Sequence, residues 1–349
     1  MSEATVLVSK SGSLGHIVLN RPKALNALNL EMVELIDRAL DDFEADPEIA
    51  AVLVSGAGER GFCAGGDIRA AHDSGKAGDG TALVFWRTEY RLNARIARFP
   101  KPYIAWMSGI TMGGGVGLSA HGSHRIVTDT TRLAMPETGI GFFPDVGGSW
   151  LLSRPGSEFG TFMGLTGTIV GAGDAIRASL ADFCVPSDRF EELRSALSAL
   201  PKRASAAEVG ETISRFAVIA ESSYSPEDRA LIDRALAHAT IEEIISALTA
   251  ETGDCARKLV ETLGTRSPTS LKVTLRMIRL GRDSADLETC LSREYAALPA
   301  VLASHDFYEG VRAAVIDKDR NPKWQPATLA AVSQEAVDAY FPEGAAGIF

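Results

Sequence analysis

"PYIAWMSGITMGGGVGLS", residues 102–119, joins a strand-like run, a glycine-rich turn and a helical pattern without interruption. "PYIAWMSG" is apolar and aromatic and is bounded by Pro102 and Gly109, as a buried strand would be. The glycines of "GITMGGGVGLS" then stand where the chain must turn before a helix can start. The same theme recurs at "FCAGGDI", residues 62–68, and the recurrence decides the fold class. Further strand-like runs are "TVLVSK", "GHIVLN", "IAAVLVSG", "HRIVTD" and "TRLAMP". Between them, Leu30 to Glu44 places Val33, Ile36, Leu40 and Phe43 on one helical face, with Asn29 as its N-cap. This alternation predicts βαβ-like crossovers and an α/β fold.

From about residue 188 the strand signals fade. "DRFEELRSALSAL", "PEDRALIDRALAHAT", "IEEIISALTAE", "SLKVTLRMIRL" and "LETCLSREYAALPAVLA" all read as amphipathic helices. A polar connector near "PKRASAAEVG" is a candidate boundary. The expected plan is an α/β core over residues 1–200 and a helical C-terminal region over 201–349.

The 349 residues are 46% hydrophobic and 23% charged, which suits a globular protein with a sizeable core. A net charge of −10 and a pI near 5.2 argue against general nucleic-acid binding, which needs a basic footprint. A local cluster of Lys and Arg could still hold an anionic small ligand. Cys63, Cys184, Cys255 and Cys290 are scattered, with no CxxC, so a reducing compartment is the default. The N-terminal "MSEATVLVSKSGS" has neither a signal-peptide nor a transit-peptide pattern. No apolar run approaches the roughly 20 residues of a membrane span. The expected address is cytoplasmic.

Chemistry concentrates in a few places. The first N–H groups of a helix lack intrahelical partners, and glycine lets a ligand approach them closely. Two such donors, one from "FCAGGDI" and one from "GITMGGGVGLS", would form an oxyanion hole for a carbonyl oxygen gaining charge. "AMPETGIGFFPDVGGSW", residues 134–150, sets Glu137 and Asp145 among apolar residues. Each acid has a plainer reading, Glu137 as a solvated strand end and Asp145 as an N-cap for "VGGSWLL". Phe142 and Phe143 weaken both, because an apolar loop desolvates carboxylates and raises their pKa. In "ALVFWRTEYRLNARIARF", Glu89 falls in register between Phe85 and Leu92, on a stripe continued by Ile96 and Phe99. An acid there sits at the edge of the stripe, pairs with an Arg, or faces a pocket; Arg87 and Arg91 lie off that face.

Other motifs carry less. "GAGERG", residues 56–61, matches a dinucleotide fingerprint but does not lead directly into a helix, so it reads as a turn. There is no GxSxG nucleophile elbow. "HGSH", residues 121–124, lacks a third ligand, so no metal site is expected. Cys63 has no nearby His and reads as a small buried residue.

Taken in order and spacing, "LNRPKALNALN", "ERGFCAGGDI", "MGGGVGLS" and "MPETGIGFFPDVGG" resemble the crotonase (enoyl-CoA hydratase/isomerase) superfamily. The resemblance implies a ββα spiral core that binds acyl-CoA thioesters and an oxyanion hole at Gly66 and Gly114. Hydratases of the superfamily carry a catalytic Glu where this chain has Gly117; their second Glu matches Glu137, and Asp145 stands where they have Gly. That combination, with the tail "SHDFYEGVRAAVIDKDRNPKWQPATL", is similar to the 3-hydroxyisobutyryl-CoA hydrolase branch. The branch implies thioester hydrolysis in valine degradation, with Glu137 as nucleophile or general base and Asp145 orienting water or the substrate hydroxyl. It also implies that Glu89, Gly114, Glu137 and Asp145 face the substrate, with no cofactor beyond the CoA of the substrate itself. Partners other than the acyl-CoA are not expected, neither nucleic acid nor membrane. A homo-oligomer stays open, since trimers are usual in the superfamily but a helical C-terminal extension could block that interface.

Overall fold

The computed structural model describes residues 4–154, 156–344 and 347–349. Its strands are β1 (Val6–Ser11), β2 (Leu14–Leu19), β3 (Ala51–Gly56), β4 (Gly61–Cys63), β5 (Tyr103–Met107), β6 (Ile110–Met112), β7 (His124–Val127), β8 (Arg132–Ala134) and β9 (Phe183–Cys184). They form a six-stranded sheet, ordered β1-β2-β3-β5-β7-β9, and a three-stranded sheet, ordered β4-β6-β8. Among the paired strands of the described residues, the β1–β2 hairpin is antiparallel and the other pairs are parallel. Parallel strands are covered on both faces, and β3 and β5 are accordingly near-continuous apolar runs, AVLVSG and YIAWM. All six strands expected from the sequence are present. β4, β6 and β9, of three, three and two residues, are too short to show a periodicity.

The chain divides into two compact units that are discontinuous in sequence. The first comprises residues 1–66, 88–134 and 170–223, and contains both sheets. Its Leu30–Ala45 helix starts at Asn29, whose Oδ1 accepts the Met32 N–H at 2.9 Å. Val33, Ile36, Leu40 and Phe43 are fully buried on its inner face, each contributing about 1.5–3 kcal/mol. Leu14, Leu53, Ile104, Trp106 and Ile126 of the large sheet form one core cluster with Leu193, Leu197, Val209 and Ile213 of two later helices. One of these helices, Ala206–Ser214, begins inside the polar stretch 201–210 that the sequence marks as a connector. Ser205 and Glu208 form a capping box there, so the polar residues serve a helix start.

The second unit comprises residues 67–87, 135–169 and 224–349. It is helical, with Pro226–Leu236 and Ile241–Ala250 each opened by a capping box, then Asp254–Leu263, Pro268–Arg282 and Leu287–Ala303. Glu158 ties the Phe159–Thr166 helix to Pro268–Arg282 through Arg279 at 2.8 Å and Arg282 at 2.6 Å. Gly281 in that second helix packs so close to the Ser149 carbonyl that a Cβ would collide with it. The sequence change near residue 200 is a change of composition. The units divide differently, because residues 67–87 and 135–169 pack with the late helices rather than with their sequence neighbours.

Candidate active site

In the sheet-bearing unit, β4 and β6 are parallel, so their carboxyl ends lie at the same edge of the small sheet. Gly66 follows β4 and Gly114 follows β6 as the first residue of the Gly114–Ala120 helix. Gly65 and Gly113 adopt φ of +105° and +48°, a region L-residues other than Asn and Asp seldom enter, which explains the doubled glycines. A Cβ on Gly114 would lie 3.2 Å from the Gly66 nitrogen and would collide with Oε1 of Glu89. Two backbone nitrogens and one carboxylate therefore converge on a small volume that only glycine leaves open. Gly117, inside the same helix, is buried.

Glu89 is 2% exposed on the Thr81–Ala97 helix. The buried stripe keeps Leu92 and Ile96 of the sequence reading but differs in detail: it runs through Ala82, Trp86, Glu89, Tyr90, Leu92, Asn93 and Ile96, while Phe85 and Phe99 are only partly buried. Trp86 and Tyr90 outcompete Phe85 for the interior and rotate the face by about one position. Asn93, one turn beyond Glu89, is fully buried, and neither its Nδ2 nor its Oδ1 has a hydrogen-bond partner among the described residues. Arg87 is exposed and lies over the Tyr295 ring at 5.2 Å, off the Glu89 face as expected.

In the helical unit, Glu137 opens a short 3-10 turn, Glu137–Ile140, directly after Pro136. It is 6% exposed, and its Oε2 is buried without a hydrogen-bond partner among the described residues. Burial, and then the charge of Asp145, holds its carboxyl well above the usual carboxylate range. Phe142 and Phe143 of the same loop are buried and stacked at 4.8 Å, and Phe142 stacks on Trp86 at 5.7 Å. The solvated reading of Glu137 therefore fails.

Asp145 is also 6% exposed. The capping reading fails for it too: the Gly148–Leu151 helix has Gly147 as N-cap, with no side-chain cap bond. Its free N–H groups are taken from elsewhere. Oε2 of Glu294, on the Leu287–Ala303 helix, accepts from Gly147 N at 2.7 Å, and Oε1 accepts from Ser149 N at 2.9 Å and Ser149 Oγ at 2.6 Å. Glu294 is fully buried, and desolvation pushes its carboxyl up to about 8 against the pull of those donors. The sequence reading missed it. The signal was available, since Glu294 sits in the stripe of Leu287, Cys290, Leu291, Ala297, Leu298 and Val301, as Glu89 does in its own.

The remaining candidates are structural. Residues 57–60 of "GAGERG" form the connection between β3 and β4. Cys63 is fully buried, and desolvation pushes its thiol up to about 12, unsuited to a nucleophile. His124 bonds Ser123 Oγ and the Ala206 carbonyl, both at 2.9 Å. No group of three or more His, Cys, Asp or Glu is placed to hold a metal among the described residues.

The chain belongs to the enoyl-CoA hydratase/isomerase family, whose pattern matches residues 14–341. Among curated relatives, the mitochondrial 3-hydroxyisobutyryl-CoA hydrolase of Danio rerio is 45% identical over 341 residues, 96% of this chain and 89% of the relative. The corresponding hydrolase of Homo sapiens is 43% identical over 340 residues, 96% of this chain and 88% of the relative. Among solved structures, a carnitinyl-CoA dehydratase from Mycobacterium thermoresistibile is 44% identical with a TM-score of 0.92, over 99% of both chains. An enoyl-CoA hydratase from Rhodobacter sphaeroides is 42% identical with a TM-score of 0.86, over 98% of both. The expected crotonase-type α/β architecture is therefore the observed one.

Proposed function

We propose that this protein hydrolyses an acyl-CoA thioester, with 3-hydroxyisobutyryl-CoA as substrate and 3-hydroxyisobutyrate and free CoA as products, a step of valine catabolism. The observation that carries the reading is the pair of buried acids Glu137 and Asp145, combined with glycine at position 117. A hydratase of this family needs a second acid on the helix that begins at Gly114, and Gly117 has no side chain to supply it. The names of the curated relatives agree with hydrolysis.

In the proposed reaction the thioester oxygen takes the N–H groups of Gly66 and Gly114, which stabilise the charge it gains as the carbonyl is attacked. Glu137, ionised, either attacks the carbonyl carbon itself or removes a proton from an attacking water. In the first route the C–S bond breaks to leave an anhydride on Glu137, and water then cleaves it. In the second the water oxygen bonds to carbon and the C–S bond breaks directly. Either way the thiolate leaves as CoA and takes up a proton, and the acyl group leaves as a carboxylate. A carboxyl whose hold on its proton is strengthened by burial and by the neighbouring Asp145 is suited to exchange protons in such a step. Asp145 orients the water or the substrate hydroxyl, and Glu89 lines the acyl side of the Gly114 turn. No separate cofactor enters these steps.

The dehydratase and hydratase names of the two solved relatives favour a second reading, proton transfer at the α and β carbons. A panel of short 3-hydroxyacyl-CoA and enoyl-CoA thioesters separates the two. Thiol release from 3-hydroxyisobutyryl-CoA is the expected result. Loss of enoyl absorbance from crotonyl-CoA without thiol release would replace hydrolysis by hydration. Single turnover in ¹⁸O-water identifies the anhydride route where label appears in Glu137, as it does when water attacks the glutamyl carbonyl of the anhydride.

We place the reaction in a reducing aqueous compartment, the cytoplasm. All four cysteines are free thiols, and no helix among the described residues is long and apolar enough to cross a membrane. The mitochondrial names of the curated relatives make the mitochondrion the competing address, which cell fractionation decides.

A further inference from the structure

Between Pro144 and Ser149 the backbone follows an unfavourable path. Val146 has φ of +51°, a region that costs a β-branched residue more than most, and Gly147 follows at +81°. A turn of this kind persists only where its surroundings over-determine it. Two sets of hydrogen bonds do so here. From within, the Asp145 carbonyl accepts the Gly148 N–H at 2.6 Å. From without, Glu294 takes the N–H of Gly147 and both donors of Ser149.

The residue type at 294 follows from that job. Three polar groups converge on one side chain, and a carboxyl has two oxygens to share among them: both accept a backbone N–H, and the Ser149 hydroxyl, which can donate or accept, suits the carboxyl with or without its proton. Glutamine at the same place would offer one oxygen and turn its NH₂ toward a donor. Burying a carboxylate for packing alone would be costly. Its partners, Gly147 and Ser149, lie immediately beyond Asp145 and 147 and 145 residues away in sequence.

We infer that Glu294 is a positioning residue for the reaction: by pinning the strained 146–149 turn, it fixes the direction in which Asp145 presents its carboxylate. The inference rests on the hydrolase reading, in which Asp145 orients water or the substrate hydroxyl. It makes Glu294 act through Asp145 alone.

The test compares Glu294→Gln, Asp145→Asn and the double variant in steady-state thiol release, with 3-hydroxyisobutyryl-CoA and unsubstituted isobutyryl-CoA as substrates. Each variant is first shown to be folded by circular dichroism. Glu294→Gln is expected to lower kcat on the hydroxylated substrate roughly 10- to 100-fold, the scale of a small misplacement of a reacting group. It should also lower the preference for the hydroxylated thioester, with KM for the plain one little changed. A purely structural role would not shift that preference. In the Asp145→Asn background, adding Glu294→Gln should slow turnover by no more than about 2-fold, because the residue it positions is already disabled. Val146→Gly, which relaxes the left-handed turn, should restore part of the activity of Glu294→Gln. A folded Glu294→Gln with wild-type kcat and preference overturns the inference, as do losses that multiply in the double variant. If Glu294→Gln does not fold, Ser149→Ala removes one donor from the same carboxylate and must weaken the preference in the same direction; wild-type behaviour there overturns the inference equally. Wild-type protein that releases no thiol from either substrate defeats the hydrolase reading instead, a result seen before any variant is compared.

Discussion

The turns at Gly66 and Gly114 and the loop carrying Glu137 and Asp145 put polar groups into apolar interiors by opposite means. At the glycine turns the useful groups belong to the backbone, and the side chain has to be absent: a Cβ at Gly114 would meet Glu89 and crowd the Gly66 nitrogen. In the 134–150 loop the useful groups are side chains, and the backbone has to be held by something else, which Glu294 does from a distant helix. The backbone donor of each glycine turn is set by the glycines that flank it in sequence. A side-chain site depends on partners that only folding brings in.

The contrast can be broken at four points. Glu137→Gln keeps the size of the side chain and removes the charge that attacks or abstracts, so turnover should fall by roughly 100- to 10,000-fold in a thiol-release assay. Full activity in that variant would empty the acid-bearing side of the comparison of its chemistry.

Next come the glycines. Gly114→Pro deletes a backbone donor and should cost on the order of 100-fold or more in turnover, provided the protein is shown to fold. Read from sequence alone, Gly114→Ala looks harmless, since it keeps the N–H. The structure argues for an intermediate loss, because the added methyl must displace the Glu89 carboxylate. Kinetics of the two variants side by side should rank proline below alanine and alanine below wild type. Alanine at wild-type rates would mean that the tight fit around Gly114 has no bearing on turnover.

A smaller effect is expected for Asp145→Asn. The N-cap of the Gly148–Leu151 helix is Gly147 and Ser149 N is served by Glu294, so the N-cap position itself is not altered. Slower turnover and a weaker preference for hydroxylated over plain thioesters are the expected results. Unchanged kinetics on both substrates would show that the Asp145 carboxylate takes no part.

The smallest effect is one of stability. Glu294 has a folded-state pKa near 8, raised above the ordinary carboxylate value of 4.5 by burial, with Asp145 adding to the rise. The folded protein therefore holds a proton that the unfolded chain releases, and stability falls as pH rises from about 4.5 toward about 8. Glu137 titrates with the same sign in both proteins and cancels from a comparison of variants. Urea midpoints measured across that range should decline more steeply for wild type than for Glu294→Gln. Parallel slopes would show that Glu294 keeps the same protonation in both states.

Much of this was legible early. Five of the six strands of the large sheet, the Asn29 cap and the place of Glu89 on an apolar helix face follow from period and composition, which operate over a few residues. The stripe around Glu89 was shifted by one position because periodicity does not rank Phe85 against Trp86 and Tyr90 for a place in the interior. β4, β6 and β9 draw their stability from pairing with strands far along the chain, so no local pattern announces them. The polar run 201–210 reads as a connector until the capping box of Ser205 and Glu208 is seen in three dimensions.

Sequence by itself determined the α/β class, the family and the identity of the acids and glycines that define the candidate chemistry, because each is a property of residue type and near-neighbour spacing. Tertiary structure alone decided that Gly147, and not Asp145, is the N-cap of the Gly148–Leu151 helix and that Gly114 tolerates no side chain without moving Glu89. It alone decided too that Glu294 holds a turn 145 residues away. The physical reason is common to all three: hydrogen bonds and steric contacts act over a few ångströms of space, and nothing in the chain's order records which distant residues folding will bring within that reach.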